Sequence, residues 1–328
     1  MEMEAWALVM FAVAIVLLLI GYPVAFTLGA VAMLFGVIFQ GVEFFDLLPL
    51  RIWGIMTNFT LLAVPLFIFM GIVLEKSGIA EDLLETMGLL FGRVRGGLAV
   101  SIVIVGALLA ATTGVVGATV VTMGVIALPA MLKHGYNTGL ATGTIAASGT
   151  LGQIIPPSII LILLADVVGV PVGQLFMGAV TPGLMLILLF IGYILMVAWW
   201  RPQMAPAVDG ERLTGGADIK LLPRVLKGLV PPLLLIITVL GSIFFGVASP
   251  TESAAVGALG ALLLAALYRR LNLEHLRETL RQSTRLTSMV FMILIGATAF
   301  GRVFRGLGGD LLVEDIVMLV AGGEGGFC

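Results

Sequence analysis

Apolar residues run along this chain in long blocks, at about 5–20, 24–39, 60–74, 97–132, 139–168, 172–200, 229–247, 254–267 and 286–301, with short polar punctuation between them. The blocks lack the period-two alternation of barrel strands, and lipid admits only helices or closed barrels. The pattern therefore predicts an all-α, polytopic membrane protein. Two blocks do not read as plain crossings. Residues 148–159, SGTLGQIIPPSI, set glycines, adjacent prolines and hydroxyl residues inside an apolar run. They predict a broken helix, with a first half over 139–147 and a break through Ser148, Gly149, Thr150, Leu151, Gly152 and Gln153. Pro156 and Pro157 would open the second half, because a missing N–H is no loss at a helix start.

Residues 96–132 form the second irregular block, with Thr112, Thr113, Gly114, Gly117 and Thr119 near its midpoint. Its arms, about 96–111 and 118–132, each give roughly 23 Å of helix at ~1.5 Å per residue. A crossing usually needs about 20 residues. The lengths fit a re-entrant hairpin with a small, polar tip at mid-membrane; two short crossings joined by a Thr/Gly turn is the other reading.

Composition sharpens the class. The chain is 60% hydrophobic and 11% charged, with a mean hydropathy of +1.18, more apolar surface than a soluble fold of 328 residues could hide. One cysteine and two histidines leave little material for a disulfide framework or a zinc or haem site. No histidine lies in a membrane block and Ser148 has no nearby base, so an intramembrane enzyme is disfavoured, and no nucleic-acid partner is expected. The first block follows the acidic flank MEMEAW and reads as a retained helix. With the N-terminus outside, 14 of the 17 basic residues fall in cytoplasmic loops, leaving Arg51, Arg302 and Arg305 outside. That asymmetry satisfies the positive-inside rule.

The chain also repeats itself. TLLAVPLFIFMGIVLEKSGIAEDLL (60–84) aligns with TSMVFMILIGATAFGRVFRGLGGDLL (287–312), pairing an SG turn with an RG turn and sharing a D-L-L. Upstream, GYPVAFTLGA (21–30) pairs with GVASPTESAAVGA (246–258). An odd number of crossings between the copies would invert one relative to the other, an architecture of secondary transporters.

The stretches TTGVVGATVVTMGVIALPAMLKHGY, NTGLATGTIAASGTLGQIIPPSIILILLA and FFGVASPTESAAVGA resemble the large membrane subunit (DctM type) of tripartite ATP-independent periplasmic (TRAP) transporters. The resemblance implies an inverted-repeat, elevator-type transporter with a re-entrant hairpin and a broken helix. It implies sodium-driven import of a carboxylate or related organic anion, with a small membrane subunit and a periplasmic substrate-binding protein as partners, in a bacterial or archaeal cytoplasmic membrane. No cofactor is expected beyond Na⁺ as coupling ion. The organisation implied is scaffold helices and an arm over 1–95, hairpin and broken helix over 96–168, a last helix of repeat one over 169–200, a cytoplasmic linker over 201–228 and a partial second repeat, scaffold helices only, over 229–328. The family pattern also has a second hairpin and broken helix, absent before AGGEGGFC, so the second repeat reads as incomplete and the sequence as truncated. A channel, or an incomplete or non-transporting membrane subunit, is the alternative function.

Broken helices expose carbonyls at one end and amides at the other. Carbonyls and hydroxyls suit a hard cation, and half-helix N-termini suit an anion. The ion and substrate site is accordingly expected at Thr112, Thr113, Gly114, Gly117, Ser148, Gly149, Thr150, Gly152, Pro156 and Pro157, with Na⁺ at Thr113, Ser148, Gly149 and Thr150. The same small residues also suit close helix packing. Glu252 in ASPTESAA reads as a helix cap or as a membrane carboxylate, and Asp166 as interfacial. Asn58 and Thr60 are caps or face the site. AEDLLETMGLLFGRV (80–94) and LNLEHLRETLRQSTRL (271–286) are amphipathic, and their basic residues would reach lipid headgroups along the cytoplasmic interface.

Overall fold

The computed structural model describes residues 2–91, 94–113, 116–207 and 221–320 of the chain, and these are helical with no strand among them. The helices are α1 (Glu2–Ile20), α2 (Val24–Gln40), α3 (Leu48–Met56), α4 (Ala63–Lys76), α5 (Ile79–Phe91), α6 (Gly97–Thr113), α7 (Val116–Lys133), α8 (Thr138–Thr150), α9 (Ile159–Val168), α10 (Val172–Trp200), α11 (Leu221–Phe244), α12 (Pro250–Leu267), α13 (Leu273–Gly306) and α14 (Gly309–Val320). Four are long and apolar enough to cross a bilayer: Met3–Ile20, Val172–Trp200, Pro250–Leu267 and Leu273–Gly306. An all-α, polytopic membrane protein is what the apolar blocks predict.

The described chain forms two compact units, residues 1–58 with 285–328, and residues 59–284. In the first, Ala7, Met10 and Ala14 of α1, Val31, Ala32 and Phe35 of α2, and Ala299, Val303 and Leu307 of α13 make one buried cluster. Small residues let the helices approach, as lipid-embedded packing requires. A Cβ on Gly36 would collide with the Phe45 ring. Arg302 lies 4.9 Å from the Phe44 ring centroid, a cation–π contact that shields a charge beside apolar helices.

In the second unit α4 packs along α12, where Gly257 leaves room for Met70. Thr251 at the head of α12 donates 2.8 Å to the Phe59 carbonyl, and the Ser242 and Ser253 hydroxyls meet at 2.8 Å. Ser101 is fully buried in α6 and donates to the Met87 carbonyl at 2.7 Å, which ties α6 to α5. The α6–α7 pair rests on α8 at two close approaches. A Cβ on Gly106 would lie 2.6 Å from the Ser148 Cβ, and one on Gly149 would strike Val120, whose Cα is 3.2 Å away. Either addition would separate the hairpin from α8.

The two repeat copies share their turns. Gly21 before α2 and Gly246 before α12 both take positive φ, 102° and 67°, each followed by an extended residue that starts a helix. After α4, Ser77 and Gly78 donate to the Val73 and Glu75 carbonyls; after α13, Leu307 and Gly308 donate to Val303 and Arg305, at the same offsets. Gly78 and Gly308 both have positive φ, 70° and 80°. The structural partner of Gly78 is therefore Gly308, two residues beyond the Gly306 of the sequence alignment. Gly306 stays in the last turn of α13, where the Gln40 side chain covers it.

Three further boundaries differ from expectation. The hairpin arms run 17 and 18 residues, longer than the 96–111 and 118–132 read from the sequence, because Thr112 and Thr113 extend α6 and Val116 and Gly117 begin α7. At ~1.5 Å per residue each is about 26 Å, still short of a ~30 Å hydrocarbon core. The amphipathic stretch 271–286 and the crossing after it belong to one continuous α13, since residues 273–295 hold no Gly or Pro to interrupt them. Helix α8 runs on through Ser148, Gly149 and Thr150, and α9 opens at Ser158, not at the prolines. Neither proline is helical, as a proline disfavours helical backbone at the residue before it, and α9 is capped by Ser158, with φ −117° and ψ 130°.

Gly149→Leu should overpack the α7–α8 contact by about 1–3 kcal/mol and lower the melting temperature of the purified protein. Gly143→Ala, whose Cβ meets nothing within 4 Å, should leave it unchanged or raise it slightly. Differential scanning fluorimetry in detergent checks both.

Candidate functional site

Helix α8 begins cleanly and ends abruptly. Asn137 caps it, its side-chain oxygen accepting from the Gly139 and Leu140 N–H groups at 3.0 and 3.2 Å. At the far end a short 3-10 turn, Leu151–Gln153, leads into the proline pair. Pro156 and Pro157 have no N–H, so the Gly152 and Gln153 carbonyls lose the donors a continuing helix would supply. The Ser158 hydroxyl takes the Gln153 carbonyl at 2.8 Å. The Leu151 carbonyl receives both the Ile154 and Ile155 N–H groups, at 3.1 and 3.0 Å. Helix α9 then starts with its amides facing the same break, Ser158 accepting from Leu161 N–H at 3.4 Å. The break thus presents the carbonyl end of one half-helix and the amide end of the next.

Ser148 is fully buried and its hydroxyl donates to the Ile145 carbonyl at 3.0 Å; the exposed Thr150 does the same to Ala147 at 2.8 Å. A hydroxyl that returns its one proton to its own helix keeps an oxygen that can only accept, the form a cation ligand needs. Gly149 faces Val120, while Gly152, Pro156 and Pro157 are buried in the turn. Leu151 is fully buried, and Gly183 of α10 brings that helix close behind Ile154 and Ile155. The break is consequently held between neighbours.

The expected counterpart is the hairpin tip. Thr112 and Thr113 close α6 and Gly117 is the second residue of α7, while Gly114 and the side chains of Thr112 and Thr113 lie outside the described residues. The arms pack on α8 through Gly106 and Val120, so Ser148 and Gly149 stand beside both arms. Among the described residues no three His, Cys, Asp or Glu side chains gather in a metal-binding group. A cation at the break would rely on hydroxyls and carbonyls.

Glu252 forms a capping box. Its carboxylate accepts from the Ser249 N–H and hydroxyl, both at 2.7 Å, and its own N–H donates to Ser249 Oγ at 3.3 Å. Asp166 and Thr60 instead line a cavity of about 560 Å³ with Gln174 and Pro250. One contact had no signal in the sequence: Thr122 of α7 donates 2.9 Å to the Glu75 carboxylate of α4, across 47 positions. The tie lies beside Lys76, which pairs with Glu278 at 2.8 Å. Tyr136, before α8, is 4% exposed. Burial raises its phenol above the ordinary tyrosine range, partly offset by the Leu98 and Ala99 N–H groups, so it stays a neutral wedge against the start of α6.

Residues 11–327 match the family model of the tripartite ATP-independent periplasmic transporter, DctM component. The chain is 33% identical over 293 residues to the C4-dicarboxylate TRAP transporter large permease protein DctM of Pseudomonas aeruginosa, covering 84% of this chain and 67% of that protein. It is 30% identical to the ectoine TRAP transporter large permease protein TeaC of Halomonas elongata, covering 89% and 67%, and 30% identical to the sialic acid TRAP transporter large permease protein SiaM of Vibrio cholerae, covering 87% and 65%. The chain spans about two thirds of the length of these relatives. With the family model matched over nearly all of its residues, the chain belongs to the DctM component of the tripartite ATP-independent periplasmic transporters.

Proposed function

We propose that this chain is the large permease subunit of a TRAP system that imports a carboxylate or related organic anion, driven by a sodium gradient. A periplasmic binding protein delivers the substrate and a small membrane subunit completes the membrane part, with the N-terminus of this chain on the outer face. The observation that carries the proposal is the halt of α8 at a proline pair inside an apolar run, with acceptor-only hydroxyls at Ser148 and Thr150. The substrates named for three of the relatives, C4-dicarboxylates, ectoine and sialic acid, carry a carboxylate, and that named for a fourth, isethionate, is a sulfonate, which supports a carboxylate or related organic anion. A carboxylate suits the amide end of α9, and Na⁺ suits the carbonyl end of α8. Opposite charges bound on the two sides of one break would stabilise each other, a direct route to coupling. In this reading 96–168 is the moving element, and Thr112, Thr113, Gly114 and Gly117 bring the hairpin tip to the ion. Elevator motion and inversion of the second repeat complete the proposal.

The chain, its small subunit and its binding protein in proteoliposomes should take up labelled C4-dicarboxylate saturably, and only with Na⁺ outside. Uptake that persists when choline replaces Na⁺, or that does not saturate, would contradict the carrier. Ser148→Ala keeps the Cβ that packs on Gly106 and deletes the hydroxyl. It should leave the melting temperature nearly unchanged while raising the half-saturating Na⁺ about tenfold, the equivalent of ~1.4 kcal/mol. An unchanged Na⁺ dependence in Ser148→Ala and Thr113→Ala together would remove both from the ion site.

A further inference from the structure

At the end of α8 away from the break, three segments are tied together. The tail after α10 accepts backbone hydrogen bonds from Gly96 at Ala205 and from Asn137 at Met204, each 3.0 Å. Those bonds bring Arg201, Arg95 and Lys133 to one end of the helices. None of residues 94–97, 131–140 or 199–207 is acidic, and none of the three cations has an ion pair among the described residues. Of the three, Arg201 lines a cavity of about 680 Å³, which Asn137 and Met204 of the tied segments line as well. Gly143 and Ala147 of α8 give it small lining residues, Phe190, Tyr193 and Trp200 of α10 give aromatic ones, and the exposed Arg201 lines it too. Tyr193 and Trp200 are 61% and 71% exposed, so the cleft opens outward from the protein.

Cations without an ion pair among the described residues call for an anion, and the apolar cleft that Arg201 lines calls for a hydrocarbon. We propose that this cleft binds an anionic phospholipid, its phosphate at Arg201 with Arg95 and Lys133 adding charge, and an acyl chain between Gly143, Ala147 and Phe190. Arg suits a phosphate through its planar, multi-donor fork, and basic pockets between membrane helices are where anionic headgroups dock. Aromatic residues at this level match the headgroup boundary, and the volume lies in the range of built ligand sites. A lipid there would rest on α8 and α10 at once and steady the end of α8 opposite its break. The inference does not depend on the transport reading.

Native mass spectrometry of the purified chain, released from vesicles of equal phosphatidylglycerol and phosphatidylcholine, tests it. Wild type should retain phosphatidylglycerol in preference. Exchange of Arg95, Lys133 and Arg201 for Gln should cut that retention by roughly fivefold per charge. Gly143→Leu, which fills open space and leaves every charge in place, should reduce retention of lipid as a whole. Equal retention of the two lipids by wild type, or unchanged retention in both variants, would overturn the proposal. Displacement of the lipid by millimolar inorganic phosphate would assign the cleft to a soluble anion and overturn it equally.

Discussion

A backbone amide or carbonyl inside an apolar run must find a partner, and in this chain two adjacent prolines prevent the helix from supplying one. Pro156 and Pro157 withdraw the donors for the Gly152 and Gln153 carbonyls, and the surrounding structure is arranged around that deficit. Ser158 takes one carbonyl, Leu151 takes two amides, and α10 closes behind the turn at Gly183. What is left is a short irregular segment whose two flanking half-helices point opposite dipole ends at the same place. Packing and polarity meet at this segment, which is why the function proposed is centred there.

The small residues around the break hold the hairpin against α8. Gly106 admits Ser148 and Gly149 admits Val120, so α6 and α7 approach α8 more closely than larger side chains allow. Packing and ion binding are sometimes set against each other as explanations for such residues. Here they are compatible for Ser148, because its Cβ makes the contact with α6 while its hydroxyl donates within its own helix and keeps lone pairs to offer. Gly149 has only its backbone to contribute, and its place against Val120 is accounted for by packing. The Thr122–Glu75 hydrogen bond adds a polar tie between α7 and α4, a link whose breaking would accompany any movement of the hairpin along α4.

Much of this architecture is legible from sequence because apolar length and Gly/Pro punctuation are strong local signals. The block at 172–200 is α10 to the residue, and Glu252, read as a helix cap or a membrane carboxylate, caps α12 in a box with Ser249. The misread features are competitions between two local signals. In RGLGG both Gly306 and Gly308 can end a helix, and the Gln40 side chain, 266 positions away, covers Gly306 and keeps it helical. In IPPSI the prolines and the serine both suit a helix start, and the serine alone can accept from the following amides. Contacts such as Ala205 with Gly96 use a backbone carbonyl, which any residue carries, so no pattern of residues announces them.

The central claim is that the interrupted end of α8 is a sodium-responsive site built from backbone and hydroxyl oxygens. Hydrogen–deuterium exchange of residues 145–162 in NaCl against the same concentration of choline chloride tests it most directly, since ion ligation would order the turn and slow its exposed amides. The account predicts slower exchange over 149–155 in Na⁺, with α10 unchanged. Identical exchange in the two salts would contradict it.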